Sequence, residues 1–225
     1  MAKRLQRWGL AALDFLWPDV CLLCDQTLHQ TRPLALCEHC EAALPRNDPS
    51  CRHCSLPLTS GDSDLCARCS NQPFPAHRAV VPLRHEAAAQ HLVHQLKFHQ
   101  GFREARCLGR IIADAVARTY CHDCLPALLV PVPLSYWNAV RRGYNQSFEL
   151  AGHIGQALGI RTTATLMTRR HGPSQRHLGR SHRLALPHRT FRLRRRLDAA
   201  HVASVDDVMT TGTTVKVRAR VRERA

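Results

Sequence analysis

The residues of this chain that can do chemistry are a set of paired cysteines and one pair of adjacent carboxylates. Cys21/Cys24, Cys37/Cys40, Cys51/Cys54 and Cys66/Cys69 are CxxC pairs at short, similar intervals. A CxxC turn presents two thiolates to one metal ion, and two such turns close a tetrahedral site. The four pairs therefore predict two structural Zn²⁺ sites in an internal repeat of two ribbon-like units. So short a stretch, poor in large apolar residues, cannot hold together by core burial, and bound zinc would supply its folding free energy. With four sulfurs on each ion no coordination position stays open, so the metal is structural and not catalytic. A redox dithiol explains one pair, not four. The order of pairing is open: sequential pairing is simplest, and cross-braced or nested orders use the same ligands. His39 and His53, inside CxxC turns, read as solvent-facing. Cys121/Cys124 stands alone and, with Cys107, reads as ordinary reduced cysteine.

The carboxylates are Asp206 and Asp207. They follow a β-prone run at 201–205 and precede Thr210, Thr211, Gly212, Thr213 and Thr214, after which a helical pattern begins. A strand–loop–helix junction gathers unpaired backbone N–H groups and the positive end of a helix dipole, which makes an anion site. Gly212 admits an anion close to the backbone, and the threonines add hydroxyl donors. Asp206 and Asp207 would repel a phosphate set on top of them. They suit the next part of a sugar phosphate, as acceptors for ribose hydroxyls or oxygen ligands for Mg²⁺. The stretch resembles the signature by which type I phosphoribosyltransferases hold phosphoribosyl pyrophosphate (PRPP). The resemblance implies that residues 210–214 take the 5′-phosphate, while Asp206 and Asp207 face the ribose and the metal-bound end.

Other elements must position these groups. A strand is expected at 79–83, a helix at 86–98, and a second helix at 103–120 with Leu108, Ile111, Ile112 and Val116 at helical spacing. Residues 128–133 form a continuous apolar run, the pattern of a buried parallel strand. Ligands of open α/β sheets bind at the carboxyl ends of strands, so the ends near Pro133 and Asp206 matter most. The loop 134–146 carries Arg141, Arg142 and Gly143 beside one of them. It suits a second phosphate group, or else is a solvated basic loop. A helix at 147–158 ends at Gly159. After Leu166 begins a block, running from Arg169 to Arg196, without a single acid. It includes Arg169, Arg170, Arg176, Arg180 and Arg183 and reads as a mobile cationic loop. Such a loop either closes over pyrophosphate or tracks a nucleic-acid backbone.

Residues 1–18 read as a helix with Leu5, Trp8, Ala12, Leu13, Phe15 and Leu16 apolar and Lys3, Arg4 and Arg7 basic. It either packs on the body or lies on a membrane surface. The whole chain has 225 residues and a formal net charge of +15, an excess that favours polyanionic partners. Aromatic residues are only 5%, so stacking platforms for bases are sparse. No apolar run is long enough to span a bilayer and no signal-peptide pattern is present, so a cytoplasmic protein is expected.

Taken together the motifs resemble the ComF family of bacterial competence proteins. The marks are the cysteine pairs, Leu96-Lys97-Phe98, Val130-Pro131-Val132-Pro133, Arg142-Gly143-Tyr144-Asn145-Gln146, Gln175 with Leu178 and Arg183, and Val205-Asp206-Asp207-Val208-Met209-Thr210-Thr211-Gly212. The resemblance implies an α/β protein whose second domain is type I phosphoribosyltransferase-like, a Rossmann-like parallel sheet. It implies an N-terminal helix at 1–18, a double zinc ribbon at 19–72 and the α/β domain at 76–225. That domain stops about one helix after the phosphate loop, so a truncated C-terminus is expected. Implied partners are PRPP with Mg²⁺, single-stranded DNA and other DNA-uptake proteins. Two functions follow. One is a PRPP-binding, phosphoribosyltransferase-like protein acting in DNA uptake, whose reaction would be a Mg²⁺-dependent transfer. The other is a nucleic-acid-binding module whose PRPP site is vestigial or sensory.

Overall fold

The structure, a computed structural model, describes residues 19–28, 32–59, 63–72, 74, 76–121, 124–134, 136–169, 191–194 and 201–209. The helix expected at 1–18, the turn at 210–214, Arg170, Arg176, Arg180, Arg183 and the C-terminus lie outside the described residues.

The cysteine-rich part is a true repeat. Cys37 is the N-cap of a short helix α1 (Glu38–Ala42), and Cys66 is the N-cap of its counterpart α2 (Ala67–Asn71). Each unit has one isolated antiparallel bridge, Val20 with Thr27 and Ser50 with Pro57. In each, the residue after the first CxxC pair has positive φ, Asp25 at 56° and Ser55 at 54°. That left-handed turn swings the chain back so that both sulfurs face inward.

Helix α3 (Ala87–Phe98) buries Ala89, Leu92, Val93 and Leu96, one face at helical spacing. A turn at Gly101 leads to α4 (Phe102–Thr119), which buries Ala105, Leu108 and Ile111 among others. Strand β1 (Leu128–Pro131) is buried along its whole length. Helices α5 (Tyr136–Arg142) and α6 (Gln146–Leu158) follow, and Gly159, with φ of 69°, supplies the left-handed C-cap of α6. Short strands β2 (Arg161–Thr162), β3 (Met167–Arg169), β4 (Phe191–Leu193) and β5 (Val202–Val205) complete the described elements.

Strands β2, β1 and β5 form a parallel sheet in that order, with Leu128 opposite Val202 and Pro131 opposite Val205. Helix α6 lies across this sheet, α4 packs on α6, and α3 packs on α4. Gly109 permits the closest of these approaches: a Cβ there would sit 2.6 Å from His153 Cβ. Leu92, Leu96, Ile111, Leu129, Leu150 and Ile154 share one core, which also takes in Cys21, Leu36, Cys40 and Leu44 of the first ribbon. The second ribbon is built differently: among the described residues its buried cluster is Cys51, Cys66 and Cys69, with Cys54, Leu58, Leu65 and Phe74 packed against it. No helix among the described residues is long and apolar enough to cross a membrane.

Three sequence expectations are corrected. Residues 79–83 are not a strand of the sheet. Their backbone is spent on the ribbons: Ala79 N–H donates to His53 O at 2.8 Å, and Pro82 O and Val81 O accept from Asn47 N and Nδ2. The stretch 134–146 is not all loop, because Tyr136–Arg142 form α5. The basic block is not loop from its start, since β3 and β4 pair antiparallel, Arg169 opposite Phe191.

Candidate functional site

Two centres emerge. In the first ribbon the sulfurs of Cys21, Cys24, Cys37 and Cys40 lie within 4.8 Å of one another, as do those of Cys51, Cys54, Cys66 and Cys69 in the second. Pairing is therefore sequential, first pair with second and third with fourth. Cys24 and Cys37 Sγ are 3.8 Å apart, and Cys54 and Cys66 Sγ 3.7 Å. Four sulfurs at such spacing match a tetrahedral zinc ion, and each unit has the donor set for one. No histidine joins either group among the described residues. Burial pushes the Cys21 thiol up, but N–H groups of Cys37, Leu23 and Cys24 aimed at its sulfur hold it down, at about 6. Cys51 is held at about 6 in the same way by Cys54, Cys66 and His53. In each unit the first sulfur thus carries its charge more readily than an ordinary thiol. Cys107 is a core thiol that burial pushes up to about 12.

The second centre is the carboxyl edge of the parallel sheet. Val132 N–H donates to Val205 O at 2.9 Å, so β1 and β5 end side by side. Asp206 and Asp207 leave β5 there. Facing them is the N-terminus of α6. Asn145 is its N-cap, its Oδ1 accepting from Ser147 N–H at 3.0 Å, while its Nδ2 donates to Val132 O at 3.0 Å. One side chain thus ties the start of α6 to the end of β1. Gln146 is buried and its Nε2 donates to Asp207 Oδ2 at 3.3 Å. Ser147 Oγ donates to Asp206 Oδ1 at 3.4 Å, and Asp207 N–H donates to the same oxygen at 3.1 Å. The positive end of α6 further favours the two charges. From the last turn of α3, Lys97 Nζ reaches Asp207 Oδ2 at 3.1 Å.

Three motifs far apart in sequence therefore meet: Lys97 from α3, Asn145, Gln146 and Ser147 from α6, and the acids from β5. Arg169 at the end of β3 lies near them; burial lowers its pKa, opposed by the field of Asp206. Arg142, at the end of α5, lays its guanidinium over the Phe98 ring at 5.2 Å, beside Lys97. Arg141 is exposed. Burial raises the Tyr144 hydroxyl, Arg142 opposing and Asp207 adding to the effect. Arg142 Nε, Tyr144 Oη and Gln146 Oε1 are buried without hydrogen-bond partners among the described residues.

Sequence reasoning named the acids and arginines but not Lys97, Gln146 or Ser147 as their partners. Asn-Gln-Ser before an apolar helical pattern is an N-cap signal. With the strand end placed two elements earlier, it locates the α6 N-terminus at the sheet edge. Nothing in local spacing puts Lys97 there.

The double zinc ribbon family matches residues 12–72. The chain is 34% identical over 202 residues to DNA utilization protein YhgH of Salmonella typhi, covering 88% of each. It is 32% identical to the protein of that name in Escherichia coli (strain K12), over 88% of each chain. Competence protein F of Haemophilus influenzae is 30% identical, over 87% of this chain and 86% of its own. The chain belongs to the competence protein F family. The aligned span reaches well past the ribbons, so the family likeness includes the α/β part. No solved structure matches the chain.

Proposed function

We propose that the carboxyl edge of the sheet binds a ribose phosphate, PRPP with Mg²⁺, on a type I phosphoribosyltransferase-like domain, and that the protein serves DNA uptake or use. The observation that carries this reading is the meeting of Lys97, Asn145–Ser147 and Asp206–Asp207 where β1 and β5 end side by side. Parallel α/β sheets bind ligands at that end. The unpartnered Gln146 Oε1, Tyr144 Oη and Arg142 Nε fit a ligand with many oxygens and hydroxyls. Asp206 and Asp207 accept from ribose hydroxyls and face the metal-bound end. Residues 210–214 take the 5′-phosphate, and Arg141 and Arg142 face the pyrophosphate. When bound, Mg²⁺ supplies charge neutralisation for a leaving pyrophosphate. The protein's part is positioning and electrostatic preorganisation. The names of two relatives, DNA utilization protein YhgH and competence protein F, support the DNA part of this reading.

The test is melting with PRPP–Mg²⁺. A saturating ligand should raise Tm, by about 2–3 kcal/mol of added stability at a hundredfold excess over Kd. Asp206→Asn with Asp207→Asn should abolish the rise. An equal rise in the double variant would place the ligand elsewhere.

A second reading is favoured by the net charge of +15 and the acid-free basic block. In it Arg169 and its neighbours at 170, 176, 180 and 183 hold single-stranded nucleic acid, and the sugar-phosphate site senses without turnover. Affinity for single-stranded DNA should then fall steeply with salt. Absence of binding at low salt rules it out.

A further inference from the structure

One carboxylate of the sheet edge, Asp207, is faced by a cation of the protein itself. Lys97 Nζ lies 3.1 Å from Asp207 Oδ2, with the two side chains only 21% and 14% exposed. Gln146 Nε2 donates to the same oxygen. The ammonium stands in the last turn of α3, where the helix dipole favours a positive charge. Arg169 sits in the field of Asp206. A third cation, Arg142, flanks the edge over Phe98. Asp207 is therefore paired before any ligand arrives.

That pairing changes what the site can bind. A bare divalent cation is bound by uncompensated oxygen ligands and sheds its water reluctantly. Here it would displace an ammonium from Asp207 or be repelled by it at short range. A phosphorylated ligand meets no such obstacle. An ammonium has three N–H donors, and Lys97 has one protein partner among the described residues. Its remaining donors are available to an anion.

We propose that Lys97 is the internal counter-cation of this edge, holding the place beside Asp207 that a free divalent ion would take, so that metal enters only together with a phosphorylated ligand. The inference rests on reading the Asp206–Asp207 edge as a ribose-phosphate site and adds an order of events to it. The anion of a phosphorylated ligand would draw the Lys97 ammonium toward itself and leave Asp207 free to accept from the ligand's hydroxyls or to hold the metal it carries. It also sets specificity: a polyanionic riboside gains the freed ammonium, and a neutral riboside does not.

The experiment uses the zinc-loaded full chain and Mn²⁺ alone, followed by electron paramagnetic resonance, with no ribose phosphate present. The wild type should show no saturable Mn²⁺ site at sub-millimolar concentration. Lys97→Met should gain one, with affinity raised at least about tenfold by loss of the like charge. Adding Asp207→Asn to that variant should remove it, and Lys97→Arg should behave as wild type. Lys97→Gln, which keeps a donor for Asp207 without the charge, should gain the site as well and covers the case where Lys97→Met folds poorly. A wild-type Mn²⁺ site that Asp207→Asn removes would overturn the proposal. So would Lys97→Met and Lys97→Gln variants that bind no more Mn²⁺ than the wild type. Neither result bears on whether PRPP binds, which the melting shift decides separately.

Discussion

Asn145 holds the start of α6 and the end of β1 together through the two ends of one amide. Loss of an N-cap costs about 1 kcal/mol, and the Val132 carbonyl would lose its partner as well. Asn145→Ala should therefore cost about 1–2 kcal/mol, lowering Tm by roughly 2–8 °C in a chain of this size. It should also weaken ligand binding beyond that loss, because Gln146 and Ser147 are aimed by the same turn. Calorimetric melting with and without PRPP–Mg²⁺ checks both parts; a stability loss with unchanged binding would detach the cap from the site. At this scale the sequence was readable where chemistry is local. Cysteine spacing named all eight ligands, and adjacency named the acid pair. Lys97 was not readable as a site residue, because its distance to Asp207 is set by how α3, α4 and α6 stack on the sheet.

Among the elements, the two ribbons have the same ligands and different dependence on the rest of the protein. Cys21 is fully buried in the core that contains Leu92 and Leu129, whereas Cys51 is buried among cysteines. Zinc carries most of the folding free energy of such units. Cys51→Ser should release one of the two zinc ions and leave the melting of the α/β part nearly unchanged. Cys21→Ser should release the other and lower that melting by roughly 5–10 °C. Metal analysis with melting followed by far-ultraviolet circular dichroism separates the two; equal effects on the body would contradict the shared core. Zinc uptake by metal-free protein should also depend on pH. The pKa values of Cys21 and Cys51 are lowered from the ordinary thiol value to about 6. The partner thiols Cys24, Cys40, Cys54 and Cys69 are raised and must give up their protons to the metal, so uptake should weaken progressively as pH falls, and pH-independent uptake would contradict it. The helices were legible from apolar periodicity and from stop signals such as Gly159. The segment 79–83 was misread because β-prone residues do not say which backbone will pair with them, and here it was Asn47 and His53. Helix α5 was missed because it has only seven residues, set between Pro133 and Gly143, too short a run for periodicity to separate it from the loop around it.

At the scale of the whole molecule, a small parallel sheet brings its acidic strand end against one helix N-terminus and one lysine, while a zinc ribbon is built into the same core. The α/β class was legible because β1 is an uninterrupted apolar run and the elements alternate. The parallel register, which sets Asp206 beside Val132, is a long-range pairing that local spacing cannot reveal. It is also what turns two acids in a row into a cradle with partners on three sides. The central claim is that this cradle holds a ribose phosphate. Calorimetric titration of PRPP–Mg²⁺ into the zinc-loaded protein tests it most directly. Saturable binding of one ligand per chain, lost in Asp206→Asn with Asp207→Asn while the variant still melts cooperatively, is the predicted result. Heat of binding that survives in that folded double variant, or no binding to the wild type at millimolar ligand, would contradict it.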